Sequence, residues 1–187
     1  MRLTGIVLAA GAGTRAGGPK ARRAGWLDAA VEALTESGCD PVLVVLGAAI
    51  DVPIPAPATA VVAEDWAEGM SASLRAGLRS ASGDAALVTL VDLPSMPATV
   101  ARRVAAQCDA AAETGSNPRA VLAQAVFDGR PGHPVLLGAE HWAGVMADVA
   151  GDAGARRYLV AHGVTEVECG DLWDGRDVDG PAPDQRR

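Results

Sequence analysis

The stretch LAAGAGTRAGGPKA, Leu8 to Ala21, sets Gly11, Gly13, Gly17 and Gly18 directly after an apolar run and closes on Pro19 and Lys20. Successive glycines let backbone N–H groups approach phosphate oxygens with no side chain in the way. Arg15 can grip a phosphate through two donors, and Lys20 adds a point charge where negative charge develops. Of the 16 basic residues 15 are arginine, which leaves Lys20 as the sole lysine of the chain. A compact ammonium does not do the work of a forked guanidinium. The plain alternative is an ordinary turn with a solvated Arg15 and Lys20, since some position must hold the one lysine.

Three phosphate-binding readings compete for this loop. Gly11, Gly13 and Ala16 satisfy the loose dinucleotide fingerprint GxGxxG/A after a strand. Its helix would meet Gly17, Gly18 and Pro19 at once, poor company for a first turn. A P-loop has the right glycine spacing from Gly13 to Gly18, but Pro19 intervenes before Lys20 and no Ser or Thr follows. A longer loop that wraps its anion is the reading preferred.

The elements that must position these residues alternate. Gly5–Ala10 reads as a buried strand, Trp26 to Leu34 as a helix capped near Gly38, and Pro41–Gly47 as a second buried strand. Ala60–Ala63 is a short strand, and Leu74 and Leu78 mark a helix after Gly69. Ala85–Val91 is a strand ending in DLPSMP, followed by a helix from Pro97 towards Ala112. AVLAQAVFDG and HPVLLG read as two strands joined by the loop DGRPG. Helices over Ala139–Val149 and Ala153–Ala161 and a strand over Val164–Cys169 complete the pattern, with a polar tail expected to fray from about residue 180. Such alternation predicts a three-layer α/β fold of Rossmann-like kind, with a mostly parallel mixed sheet and helices on both faces. No repeat or linker marks a second domain, so residues 1–187 are expected to form one. Ligands of such sheets bind beyond the carboxyl ends of the strands, which puts the glycine loop and Asp92 on one edge.

Composition narrows the class. The chain of 187 residues is 49% hydrophobic but only 3% aromatic, so its core must be mostly Val, Leu and Ala. A net charge of -7 disfavours broad binding to nucleic acid or anionic lipid and leaves room for a local anion site. Cys39, Cys108 and Cys169 are scattered without CxxC spacing, as expected of reduced thiols. The sequence shows no charged-then-apolar leader and no apolar run near the ~20 residues of a spanning helix, so a soluble cytoplasmic protein is expected.

In six blocks taken in order, the chain resembles the nucleotidyltransferase family typified by molybdenum cofactor cytidylyltransferase. The blocks are LAAGAGTRAGGPKA, EDWAEGMSASLRAGL, LVDLP, GRPGHPVLL, GDAGARRYL and RDVDGP. The resemblance implies a nucleotidyltransferase fold and transfer of a nucleotide from an NTP to a phosphorylated acceptor such as molybdopterin, with release of pyrophosphate. CTP is the favoured NTP, because LAAG resembles the cytidylyl branch and LAGG the guanylyl one. The implied partners are the NTP, the small-molecule acceptor and a molybdoenzyme, with no nucleic acid and no membrane.

The same resemblance distributes roles. Arg15, Lys20 and Asp92 become the catalytic set. Mg2+ needs only one or two carboxylates, here Asp92 with Asp179 and with Asp177 behind it, although turn capping for Asp92 and a solvated tail for Asp179 are the alternatives. Leu8, Ala9, Ala10, Gly11 and Gly13, with Gly69, Ser71 and Ser73 at a helix start, are the nucleotide contacts; the helix-start amides are candidate donors. His133, Asp152 and Arg156 face the acceptor, or serve as packing and capping groups. His141 and His162 lack partners at metal spacing and read as surface or packing residues.

The chain also departs from the family pattern, with Val91 for the usual Gly, Ala153 for a lysine and Gly180 for Thr. It also passes almost directly from Lys20 to the helix, where members carry a longer segment of Leu and Gly. Two alternatives follow: a nicotinamide-dependent oxidoreductase using GxGxxA, and a nucleotide-binding module without turnover.

Overall fold

The structure, a computed structural model, describes residues 1–178 and, at Arg15, the backbone alone. Seven strands form one sheet: β1 (Leu3–Leu8), β2 (Cys39–Leu46), β3 (Thr59–Val62), β4 (Ala85–Leu90), β5 (Leu122–Phe127), β6 (Arg130–Gly138) and β7 (Thr165–Glu168). Their order is β3-β2-β1-β4-β6-β5-β7. Only β6 runs antiparallel to its neighbours β4 and β5. This is the mostly parallel mixed sheet that the alternation predicts.

The central strands are apolar on both sides because both faces are covered. Val7 of β1 joins one core with helices α1 (Trp26–Glu36) and α3 (Ala98–Glu113). Its neighbours Ile6 and Leu8 join a second core, on the face of α2 (Met70–Ser80), α4 (Trp142–Asp148) and α5 (Arg156–Ala161). No helix of the described residues is long and apolar enough to cross a membrane. The three cysteines are free and buried, and burial pushes the Cys39 and Cys108 thiols up to about 11.

Register fixes the functional edge. Leu8 pairs with Val45 on one side and Leu90 on the other, and the Val91 amide donates to the Leu8 carbonyl at 3.1 Å. The chain leaving β1 and the chain leaving β4 therefore emerge side by side.

Several boundaries differ from the expected ones, β1 among them, which covers Leu3–Leu8 and not Gly5–Ala10. The connection between β5 and β6 is the two-residue turn Asp128–Gly129 and not the loop DGRPG. Both its residues have positive φ, 51° and 72°, which matches the right-handed twist of the paired strands. Pro131 and His133 thus belong to β6. The last helix starts at Arg156 instead of Ala153, after the loop holding Gly151 and Gly154. Pro97 stands one place before α3, in extended conformation.

Candidate functional site

The glycine loop does not run into a helix. Gly13 and Gly17, both left-handed, bracket a single 3-10 turn over Thr14–Ala16. A second such turn covers Lys20–Arg22, and α1 begins only at Trp26. The Gly13 carbonyl accepts the amides of Ala16 at 2.9 Å and Gly18 at 3.0 Å. Gly13 has to be glycine, since its φ is +60° and a Cβ would run into the Gly18 carbonyl. Arg23 ties the loop to α1: its guanidinium donates to the Ala16 carbonyl at 2.6 Å and lies 5.4 Å from the Trp26 ring centroid. The short segment after Lys20 is closed by its own hydrogen bonds, and two separate 3-10 turns stand where a dinucleotide fold would begin its helix.

Lys20 and Asp92, 72 residues apart, meet at this edge. Lys20 Nζ donates to Asp92 Oδ2 at 2.8 Å, with both side chains 18% exposed. The other oxygen, Asp92 Oδ1, is buried and has no hydrogen-bond partner among the described residues. A buried carboxylate oxygen left open is costly unless something binds it. No cluster of three or more metal-ligating side chains occurs among the described residues. One carboxylate with one open oxygen suits a magnesium-like ion, which keeps several waters and takes further oxygens from phosphates.

A cleft of about 520 Å³ opens over this pair. Its walls include Leu8, Ala9, Ala10, Gly11, Gly13, Lys20, Gly69, Ser73 and Asp92, all expected nucleotide or catalytic residues. Arg15 contributes its backbone to the first 3-10 turn. Asp179 lies outside the described residues. The last described residue, Val178, donates its amide to the Asp92 carbonyl at 3.0 Å. Asp177 is exposed beside it.

Other placements differ from expectation. Ser71 is fully buried and does not line the cleft. Its amide is occupied by the Gly151 carbonyl at 3.0 Å, and the Ala72 amide by Gly69 at 3.2 Å. Those two donors of the α2 start are therefore taken within the protein. Asp152 borders the cleft with the glycine loop, whereas Arg156 and His133 line a second pocket of about 220 Å³. The two spaces share Leu8, so the three residues expected to face an acceptor straddle a boundary. Burial pushes His133 down to about 4, against the pull of the Asp92 charge, so at neutral pH it is an uncharged imidazole. It can donate one hydrogen bond to a ligand but cannot act as a cation. His141 and His162 are packing groups: His141 bonds the Tyr158 hydroxyl at 3.0 Å, and His162 stacks on the Tyr158 ring at 3.8 Å.

Sequence reasoning missed Trp66, Met70 and Gln124. Trp66 and Met70 line the cleft, and their signal was a scarce aromatic and a large apolar residue flanking Gly69. Gln124 lines the second pocket and donates to the Gly132 carbonyl at 3.1 Å. Its signal was a polar residue inside the buried run LAQAVF.

A glycine loop and a carboxylate at the carboxyl edge of a mostly parallel sheet define a nucleotide-handling α/β protein. Residues 5–167 match the MobA-like NTP transferase domain, and the chain belongs to that family of nucleotidyltransferases. It is 35% identical to nicotine blue oxidoreductase of Paenarthrobacter nicotinovorans, over 95% of this chain and 92% of that one. Among solved structures it resembles the Rv0371c homolog from Mycobacterium sp. strain JC1, 26% identical with a TM-score of 0.77 over 96% and 92% of the two chains. It also resembles Rv0371c of Mycobacterium tuberculosis H37Rv, 25% identical with a TM-score of 0.73 over 96% and 94%. Another structure of Rv0371c is a complex with manganese, 22% identical with a TM-score of 0.62 over 90% and 89%.

Proposed function

We propose that this protein transfers CMP from CTP to a phosphorylated small-molecule acceptor, with molybdopterin the favoured acceptor, and releases pyrophosphate. One observation carries the proposal: in a glycine-lined cleft the sole lysine bonds one oxygen of a carboxylate whose other oxygen is buried without a hydrogen-bond partner among the described residues. Lys20 binds the triphosphate and, with Arg15, steadies the charge that develops as pyrophosphate leaves. Asp92, joined by Asp179, holds a divalent cation, Mg2+ in this proposal. That ion supplies Lewis-acid stabilisation of the phosphoryl oxygens. Manganese in the mycobacterial relative supports a site of this kind. Gly69, Ser73 and Asp152 line the same cleft as the loop, and Ser71 holds the Gly151–Asp152 segment through its amide. His133 and Arg156 receive the acceptor in the adjoining pocket, so the two substrates meet across Leu8 and an acceptor oxygen can approach in line. A molybdoenzyme in the cytoplasm is the proposed recipient of the product.

Nucleotide choice follows from the end of β1. Ala10 is 3% exposed, and its carbonyl is held by the Ala48 amide at 2.9 Å. Its methyl narrows the base pocket relative to glycine and favours a pyrimidine. Steric discrimination of this kind is worth ~1–3 kcal/mol, so CTP is expected to be preferred over GTP by roughly tenfold to a hundredfold. Pyrophosphate release measured with each nucleotide, at matched Mg2+ and acceptor, checks this; Ala10→Gly should relax the preference. Equal use by the wild type rejects Ala10 as the gate.

A second reading has one observation behind it, the name of the 35% identical relative. In that reading a nicotinamide dinucleotide occupies the same cleft. The missing helix after Gly13 disfavours it. Calorimetric titration of CTP, GTP and NADPH separates the two: tight NADPH binding with no CTP binding would establish the oxidoreductase.

A further inference from the structure

The Lys20–Asp92 pair sits where both substrates' charges must be placed. Asp92 is neutralised from one side through Oδ2 at 2.8 Å, and its buried Oδ1 has no hydrogen-bond partner among the described residues. The backbone beneath it is pinned: its carbonyl takes the Val178 amide at 3.0 Å, and the preceding amide, Val91, is bonded to Leu8 at 3.1 Å. The turn that carries Lys20 is closed too, with Arg22 N–H on the Pro19 carbonyl and Arg23 N–H on the Lys20 carbonyl, both at 3.0 Å. The ammonium is therefore a built part of the carboxylate's surroundings.

A divalent cation arriving alone at Asp92 would have to share one carboxylate with that ammonium. Both side chains are largely shielded from water, so like charges there repel more than they would at a surface. A cation arriving on a nucleoside triphosphate brings phosphate oxygens with it. Lys20 can then exchange Asp92 for phosphate while the cation takes the carboxylate, and neither charge is left buried without a partner. The compact ammonium, with three donors on a flexible stem, suits such an exchange better than a planar fork.

Resting on the nucleotidyltransferase reading, we propose that Lys20 is the resident counter-ion of the metal carboxylate: it keeps bare divalent cations off Asp92 and gives way only to a cation carried by a nucleoside triphosphate. The protein thus selects the metal–nucleotide complex as one unit and is not preloaded with metal.

The test is a titration of Mn2+ without nucleotide, with free Mn2+ read by electron paramagnetic resonance. Wild type, Lys20→Met and Lys20→Gln are compared, each also combined with Asp92→Asn. Both lysine variants are expected to bind bare Mn2+ roughly tenfold or more tightly than wild type, the scale of a removed unfavourable coupling. Asp92→Asn should erase that gain, and the lysine variants should bind Mn–CTP more weakly than wild type. A bare-Mn2+ affinity at or below the wild-type value in both lysine variants would overturn the proposal, as would a gain that survives Asp92→Asn. Two lysine variants guard against one that fails to fold, which circular dichroism reports. If the wild type binds no CTP at any Mn2+ concentration, the nucleotidyltransferase reading falls separately, and the bare-Mn2+ comparison still decides the counter-ion role.

Discussion

At Asp92 the two carboxylate oxygens have different surroundings: one accepts from an ammonium at 2.8 Å, and the other is buried with no hydrogen-bond partner among the described residues. Asp92→Asn keeps the size and one acceptor but removes the charge that would hold a cation. Divalent-dependent transfer should fall to background at saturating Mg2+, while loss of this largely shielded ion pair should cost roughly 1–3 kcal/mol of stability and leave the fold intact. Pyrophosphate release and a urea melt check the two halves, and transfer at wild-type rate would reject the metal role. His133 couples stability to pH. Its folded value, about 4, lies below the ordinary 6.5. The unfolded chain therefore binds a proton that the folded protein refuses, and stability falls as pH drops from about 6.5 towards 4. The shift is worth roughly 3 kcal/mol at its full extent. Urea melts at pH 7.5 and 5 should show a smaller pH-dependent loss in His133→Asn than in wild type.

Among the elements, the entry to α2 is held by close backbone approach and not by a side-chain cap. Gly69 has φ 109°, and a Cβ there would lie 2.5 Å from Asp152 Oδ1 and 2.6 Å from the Gly151 carbonyl. Neither the backbone carbonyl nor the left-handed conformation can adapt cheaply. Gly69→Ala should therefore cost about 1–3 kcal/mol and displace the Gly151–Asp152 wall of the cleft. A lowered midpoint of thermal unfolding together with weaker CTP binding is expected; an unchanged melt would show that the loop yields freely. At the end of the outer strand β7, Glu168 gathers the amides of Asp128, Gly129, Cys169 and Gly170. Those bonds hold its carboxyl below the usual range and lock the hairpin turn of β5 and β6 to the end of β7.

Across the whole molecule, β6 joins the parallel part of the sheet to β5 and β7. We propose that the chain unfolds as one unit because that sheet supports both cores. Leu136 of β6 is fully buried in the core beneath α1 and α3. Leu136→Ala should cost about 2–5 kcal/mol. Tryptophan fluorescence and far-ultraviolet circular dichroism should report one coincident urea transition, shifted to lower denaturant. Two separate transitions would show two folding units.

The alternation of apolar runs was enough to give the layers, the parallel core of the sheet and the functional edge, because period and burial are local properties of the chain. The loop's character was legible as well, since Pro19 after two glycines forbids the helix that a dinucleotide fold needs. Contacts between distant segments were not. The Lys20–Asp92 bond, the capture of the Ser71 amide by Gly151 and the division of Asp152 from His133 and Arg156 between two pockets depend on register and loop packing. Those are fixed only when the sheet closes and places residues tens of positions apart within hydrogen-bond reach. The sequence therefore determined most of the side chains that gather at the carboxyl edge of the sheet; tertiary structure decided which of them line one cleft and which of their donors, acceptors and charges are already taken.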